Sequence, residues 1–227
     1  MEPNKLDKNL MKTEALSLKS FKEMDYLAVN KYNLPIELMM ENAGLQLARF
    51  TTKKASKNDK IIIGIGNGNN GGGGLVAARR LTAWGYDVYL DVAVSITKEL
   101  PKAQLKRALS FGVKEGLPTQ KDIWIDAYLG FSQRLPLSQI FVEKINMANA
   151  SSAHRISLDI PLGILSDGPH PMFMADEVLT LAAPKKILKV LSPETDIFVA
   201  DIGIPEDIYK KFKIAMPEFS KLQILKI

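Results

Sequence analysis

Short apolar runs recur along this chain, each followed by a stretch long enough to form a helix. They lie at about 60–65, 87–94, 123–125, 155–160, 178–182 and 197–200. Strands that run parallel cannot be joined by a tight hairpin, because each return needs a crossover of a dozen or more residues, usually helical. Such strands are covered on both faces and read as continuous apolar segments. The spacing therefore predicts an α/β chain, a three-layer αβα sandwich around a mainly parallel central sheet. No internal repeat, low-complexity segment or second domain boundary interrupts the pattern. Residues 1–14 are polar and read as a loose N-terminal extension, and residues 15–227 as a single domain.

The punctuation between these runs is informative. Ser20-Phe21-Lys22-Glu23 reads as a capping box, with Met24, Leu27 and Ala28 on one face of the helix behind it. Asn33-Leu34-Pro35 ends that helix, and a second is expected over 36–54. After the apolar run Ile61-Ile62-Ile63 comes Gly64-Ile65-Gly66-Asn67-Gly68-Asn69-Asn70-Gly71-Gly72-Gly73-Gly74, with a helix expected to open at Leu75. Glycine at a strand-to-helix junction bares the backbone N–H groups that hold anions.

In an open parallel sheet, ligands bind beyond the carboxyl ends of the strands. The glycine segment, Asp126 and Asp159 all fall at predicted strand ends. Either aspartate alone could equally cap a helix or brace a turn. Beside the glycines and asparagines, the two together argue for a site. Gly66 to Gly71 matches the dinucleotide fingerprint G-x-G-x-x-G, and Asp87 or Asp91 lies near the offset of a ribose-binding acid. Alone that match is weak, since a plain tight turn explains it as well.

Other chemistries are excluded or disfavoured. The chain has no cysteine, so disulfides, thiolate metal sites and a cysteine nucleophile are absent. Its two histidines, His154 and His170, lack ligand spacing, which disfavours transition-metal chemistry. Gly74 is followed by Leu75 and not by lysine and a hydroxyl residue, which removes a P-loop, and no G-x-S-x-G elbow occurs. The net charge of +5 comes from scattered lysines, without a basic stripe interleaved with aromatics, so nucleic acid is not an expected partner. No apolar run reaches membrane-spanning length, and the start of the chain resembles neither a signal nor a transit peptide. A cytoplasmic protein without a membrane partner is the expectation.

Met40-Glu41-Asn42-Ala43-Gly44 and Asn67-Gly68-Asn69-Asn70-Gly71-Gly72-Gly73-Gly74-Leu75 resemble the YjeF N-terminal domain, the NAD(P)HX epimerase family. The similarity continues in order through Asp126 to Ser132, Ser157 to Gly163, Ala175-Asp176, Leu181 to Lys186 and Asp201 to Pro205. It implies a Rossmann-like fold, often homodimeric, that interconverts the R and S epimers of hydrated NADH and NADPH. A separate dehydratase consumes the S form, and this chain is expected to be too short to contain it. Carried over by motif, Asn69, Asn70, Gly71, Gly72 and Gly73 would contact the substrate. So would the loop of Gly130, Phe131, Ser132, Gln133, Arg134, Leu135 and Pro136, together with Asp159. Asn70 and Asp126 would ligate a potassium ion. The substrate carbon is a hemiaminal, and its inversion by ring opening or loss of water needs proton transfer, which Asp126 or Asp159 could perform. Asp126 is expected to be the proton carrier.

Two positions depart from the family pattern: Gly73 stands where an aspartate is expected, and Leu162 where a potassium-ligating serine is expected. An epimerase with a modified cation site and a non-catalytic binding or dimerisation module of the same fold are both open on these residues. An ordinary nicotinamide oxidoreductase lacks a recognisable proton donor and substrate domain.

Overall fold

The protein is described here from a computed structural model, over residues 15–164 and 171–227. The expected extension at 1–14, together with Pro169 and His170, lies outside the described residues. Eight strands form one sheet: β1 (Lys60–Ile65), β2 (Asp87–Val92), β3 (Lys114–Glu115), β4 (Ile123–Ala127), β5 (His154–Leu158), β6 (Glu177–Leu181), β7 (Asp196–Ala200) and β8 (Ile224–Lys226). Six helices are α1 (Leu18–Tyr32), α2 (Ile36–Thr52), α3 (Asn69–Ala83), α4 (Glu99–Ser110), α5 (Gln139–Asn149) and α6 (Glu206–Lys211), with a short 3₁₀ helix at Lys186–Val190.

The strand order is β3-β2-β1-β4-β5-β6-β7-β8, parallel throughout except for the antiparallel pair β7–β8. The sequence therefore leaves β1 in one direction and resumes at β4 in the other. That reversal opens a crevice at the carboxyl ends of β1 and β4, the place where such sheets bind ligands. Gly64 pairs with Asp126 across it, and Asp126 pairs with Ser157 on β5. On one face, α2, α3 and α4 bury Leu47, Leu75, Leu81 and Ala108 against Ile61, Ile63, Ile125 and Ile156. On the other, Ile62 and Trp124 pack with Phe141 and Ile145 of α5. The three layers expected from the sequence are present. Two pieces were not legible: β3 and β8 are only two and three residues long and lie at the sheet edges.

Helix starts differ from their expected positions. The cap of α1 is Ser17, whose hydroxyl accepts from the N–H of Ser20 at 3.0 Å, so Ser20 lies inside the first turn. The capping-box spacing is satisfied three residues too late, because Ser17 offers the same hydroxyl chemistry at the extended backbone position that a cap needs. The larger difference is at α3. It opens at Asn69, not Leu75, and swallows Gly71 to Gly74 as buried helical residues. Each helical glycine is about 1 kcal/mol less favourable than alanine. Close packing explains their use: a Cβ on Gly71 would lie 2.1 Å from the Gly66 carbonyl oxygen, and one on Gly74 would lie 2.7 Å from Ala127 Cβ.

Gly71→Ala is expected to lose about 1–3 kcal/mol despite the better helix propensity, since the obstructing atom is backbone and cannot swing away. Gly68→Ala, where nothing lies within 4 Å, should cost less than about 1 kcal/mol. Urea unfolding of the two variants compares them directly, and equal losses would contradict the packing argument.

Candidate active site

Three segments meet at the crevice, and Asn70 is their clip. Its side-chain nitrogen donates to the carbonyl of Leu129 at 3.1 Å and to that of Leu158 at 3.2 Å. The first follows β4 and the second ends β5, so one amide in the first turn of α3 ties both strand ends to the glycine helix. The N-cap of α3, Gly68, provides no side-chain cap, which leaves the helix N-terminus open to an anion. Asn67 is committed elsewhere: its oxygen accepts from the N–H groups of Thr97 and Lys98 at 2.8 and 3.0 Å, holding the start of α4.

Asp126, near the end of β4, is fully buried. One carboxylate oxygen accepts from the Ser157 hydroxyl at 3.0 Å and the Leu162 N–H at 2.8 Å, and the other from the Tyr128 N–H at 3.2 Å. No cation pairs with it among the described residues. Burial pushes its carboxyl up from 3.8 to about 7, and the three donors only partly oppose that. A buried carboxylate held by dipoles and lacking a counter-charge can exchange a proton near neutral pH.

Asp159, one residue beyond β5, is equally enclosed but differently compensated. It adopts the left-handed conformation, φ 72°, and its N–H donates to Leu179 at 2.9 Å. Its Oδ1 lies 2.7 Å from the ammonium of Lys185, a fully buried lysine. The contact is an ion pair and lacks the alignment of a hydrogen bond. The two expected catalytic aspartates thus stand on neighbouring strand ends in contrasting electrostatic surroundings.

The 130–136 loop divides by role. Gln133 is buried and braces the loop, donating to the Pro161 carbonyl at 3.2 Å and accepting from the Gly163 N–H at 2.7 Å. Phe131 packs edge-on against Phe21 at 5.3 Å. Ser132, Arg134 and Pro136 are exposed, Gly130 and Leu135 half-buried. Asn69 is exposed, whereas Gly71, Gly72 and Gly73 are buried. A Cβ on Gly73 would meet Leu158 Cδ2 at 3.3 Å. Leu162 turns its side chain into the cluster of Trp124, Tyr128, Ile160 and Phe173.

Neither acid considered for ribose is free. Asp87 lies at the start of β2, the opposite end of the sheet, and pairs with Lys60 at 2.5 Å and Lys114 at 2.7 Å. Asp91 is buried between the Tyr128 hydroxyl and Lys144, the latter at 2.6 Å. His154 opens β5 at that opposite end too, with Glu177 at 2.9 Å. Two groups near Asp159 were given no role by the sequence. Lys185 fell inside the family-like run Leu181 to Lys186 without an assignment, and Asp25 carried no signal within an amphipathic helix.

Of the potassium donors implied by the resemblance, Asn70 commits its nitrogen to two carbonyls, so its oxygen is the atom that could face a cation. Asp126 is occupied by three protein donors, and Leu162 contributes hydrocarbon. A cavity of about 330 Å³ lies elsewhere, between Ser17, Ser20, Lys186, Lys189 and Lys213, and Asn70, Asp126 and Asp159 do not line it. No carboxylate lines it. The convergent polar groups, and not that void, locate the chemistry. No helix among the described residues is long and apolar enough to cross a membrane.

Fold and site together define a doubly wound α/β protein with paired aspartates at its switch point. Residues 36–187 match the family described as YjeF-related protein N-terminus, and the chain belongs to that family. It is 32% identical over 225 residues to an NAD(P)H-hydrate epimerase of Rhodopirellula baltica, covering 91% of each chain. It is 34% identical over 194 residues to a bifunctional NAD(P)H-hydrate repair enzyme Nnr of Archaeoglobus fulgidus, covering 82% of this chain and 42% of that one. The crystal structure of yeast ynu0, YNL200c, superposes with a TM-score of 0.82 at 25% identity, covering 94% of this chain and all of the other.

The raised Asp126 value has a thermodynamic consequence. An unfolded aspartate titrates near ~4, so through about pH 4–7 the folded chain holds a proton that the unfolded chain has released. Stability should therefore fall as pH rises through that window and level off above it. Asp25, also pushed to about 7 by burial, adds to the same slope. Urea unfolding between pH 5 and 8 is expected to show this decline, with a shallower slope in Asp126→Asn.

Proposed function

We propose that this chain is an NAD(P)H-hydrate epimerase, an isomerase that interconverts the R and S hydrates of NADH and NADPH. The observation that carries the reading is Asp126: a fully buried carboxylate without a counter-charge, next to Asp159, at the crevice of a doubly wound sheet. The named relatives over most of the chain support the same reaction.

The substrate carbon bears a hydroxyl and is bonded to the ring nitrogen. In the ring-opening route, a base takes the hydroxyl proton, the C–N bond breaks as the carbonyl forms, and the nitrogen gains a proton. Reclosure on the other face reverses these transfers. In the dehydration route, an acid protonates the hydroxyl, water leaves with the C–O electron pair, and water returns to the opposite face. Either route needs a carboxyl group that both gives and takes a proton, a task suited to a group titrating near the working pH. Asp126 has that property and is assigned the transfer, with Asp159 binding beside it.

The open N-terminus of α3, at Asn69 to Gly72, suits the diphosphate of the dinucleotide, and the 130–136 loop carries an exposed cation, Arg134. Gly73 narrows the role of its position to packing. No step is routed through potassium, since Leu162 brings hydrocarbon where the resemblance implies an oxygen ligand. The reading places the enzyme in the cytoplasm as one domain over 15–227, acting as a homodimer and supplying the S hydrate to a separate dehydratase.

Chirally resolved turnover of purified R-NADHX tests the assignment. Asp126→Asn should lower the rate about 10²–10⁴-fold. Full activity in that variant would remove Asp126 from the chemistry, and no acceleration by the unmodified protein would overturn the epimerase reading. Replacing potassium by choline at constant ionic strength should leave the rate unchanged. A requirement for potassium would show that Asn70 and Asp126 hold it without a side-chain oxygen at position 162.

A further inference from the structure

Lys185 is the most deeply buried cation in the described residues. Its ammonium lies 2.7 Å from Asp159 Oδ1 and donates to Thr180 Oγ1 and the Leu181 carbonyl, both at 2.9 Å. It also sits 3.6 Å from the centre of the Phe21 ring. Burial lowers its affinity for a proton, and the carboxylates of Asp159 and Asp25 raise it again. Asp25 comes from α1, where its Oδ1 is buried with no hydrogen-bond partner among the described residues. Burial is the largest influence on Asp25, followed by the Lys185 charge and then that of Asp159. One enclosed ammonium thus acts on two carboxylates from distant segments, Asp159 in contact and Asp25 through space.

This arrangement costs more than an apolar core would, since a buried ion pair is rarely a net source of stability. It does fix one oxygen of Asp159. That oxygen, Oδ1, is buried and accepts no aligned hydrogen bond among the described residues, so the ammonium is what compensates it, in contrast to Asp126, both of whose oxygens accept from protein donors. We propose that Lys185 is a positioning residue of the epimerisation: its ammonium holds Asp159 by Oδ1 and so fixes the orientation in which that carboxyl group meets the substrate, with Asp25 enclosed within reach of the same charge. The proposal rests on the epimerase reading and extends it by naming the group that orients Asp159.

The groups facing this cluster are few. From α1 come Asp25 and the Phe21 ring. Thr180 and the carbonyls of Leu181 and Ala183 come from β6 and the turn behind it. From α6, Tyr209 donates its hydroxyl to the Ala182 carbonyl at 3.0 Å, with Asp201 as its charged neighbour. The two substitutions should therefore act unequally. Removing the ammonium in Lys185→Met takes away the one contact among the described residues that holds Asp159 Oδ1. Asp25→Asn leaves that contact in place and should cost far less.

The experiment is the kcat and KM profile of epimerisation between pH 5 and 9 for the unmodified chain, Lys185→Met, Lys185→Arg and Asp25→Asn, with thermal unfolding in parallel. Lys185→Met should lower kcat about 10²-fold with KM little changed, the loss expected from a displaced catalytic group. Lys185→Arg should recover part of it. If Lys185→Met does not fold, Lys185→Arg decides, since a guanidinium keeps the charge but shifts the contact and should lower kcat with KM little changed. An unchanged kcat in the Lys185 variants of an active enzyme, or a loss in Asp25→Asn as large as in Lys185→Met, overturns this proposal and leaves the epimerase reading intact. An inactive unmodified chain overturns that reading instead.

Discussion

The first turn of α3 presses its backbone directly onto the ends of β1 and β4, and the remainder of the site is hung on that approach. Gly71 lies against the Gly66 carbonyl and Gly74 against Ala127, at distances that leave no room for a side chain. Because the helix sits so low, Asn70 reaches the carbonyls of both Leu129 and Leu158 with a single amide. Had the helix been held off by one methyl layer, the loops after β4 and β5 would each need their own anchor. Four glycines in a helix are unfavourable locally, and their cost is recovered through close packing that only the sheet ends provide.

Two carboxylates on adjacent strands receive opposite treatment from this scaffold. Asp126 is surrounded by neutral donors, so its proton affinity is set by burial. Asp159 faces an ammonium, and its backbone is turned into the left-handed region to reach it. Contrasting environments around paired acids are how one site can hold a proton at one group and a charge at the other. Leu162 belongs to this division too. Its N–H serves Asp126 while its side chain seals the apolar cluster behind the carboxylate, which keeps water from compensating the charge.

Much of the fold was legible. The strand runs of β1, β2, β4, β5, β6 and β7 announce themselves by length and β-branched content, and their helix-length separations imply parallel pairing. The edge strands β3 and β8 were not, since they are too short to carry a pattern. The start of α3 was misplaced because glycine propensity argues for a loop, and the packing that overrides it involves residues far away in the chain. At the site, Asp126, Asp159 and the Asn70 turn could be picked out because they fall at strand ends. The bracing role of Gln133 could not, since it depends on Pro161 and Gly163 coming within hydrogen-bond reach.

The sequence by itself determined the parallel strands of the sheet's centre and the ends at which chemistry could gather, because these follow from local periodicity and the length that parallel connections need. It also marked the family through ordered motifs. Only the tertiary structure decided which polar groups are spent and which are free. Asp87 and Asp91 look as available as Asp159 in the chain, yet they are paired with Lys60, Lys114, Lys144 and Tyr128 across long separations. Lys185 looks like any lysine until α1 and β5 enclose it. Charge compensation in a low-dielectric interior is set by three-dimensional neighbours, and no one-dimensional pattern records who they will be.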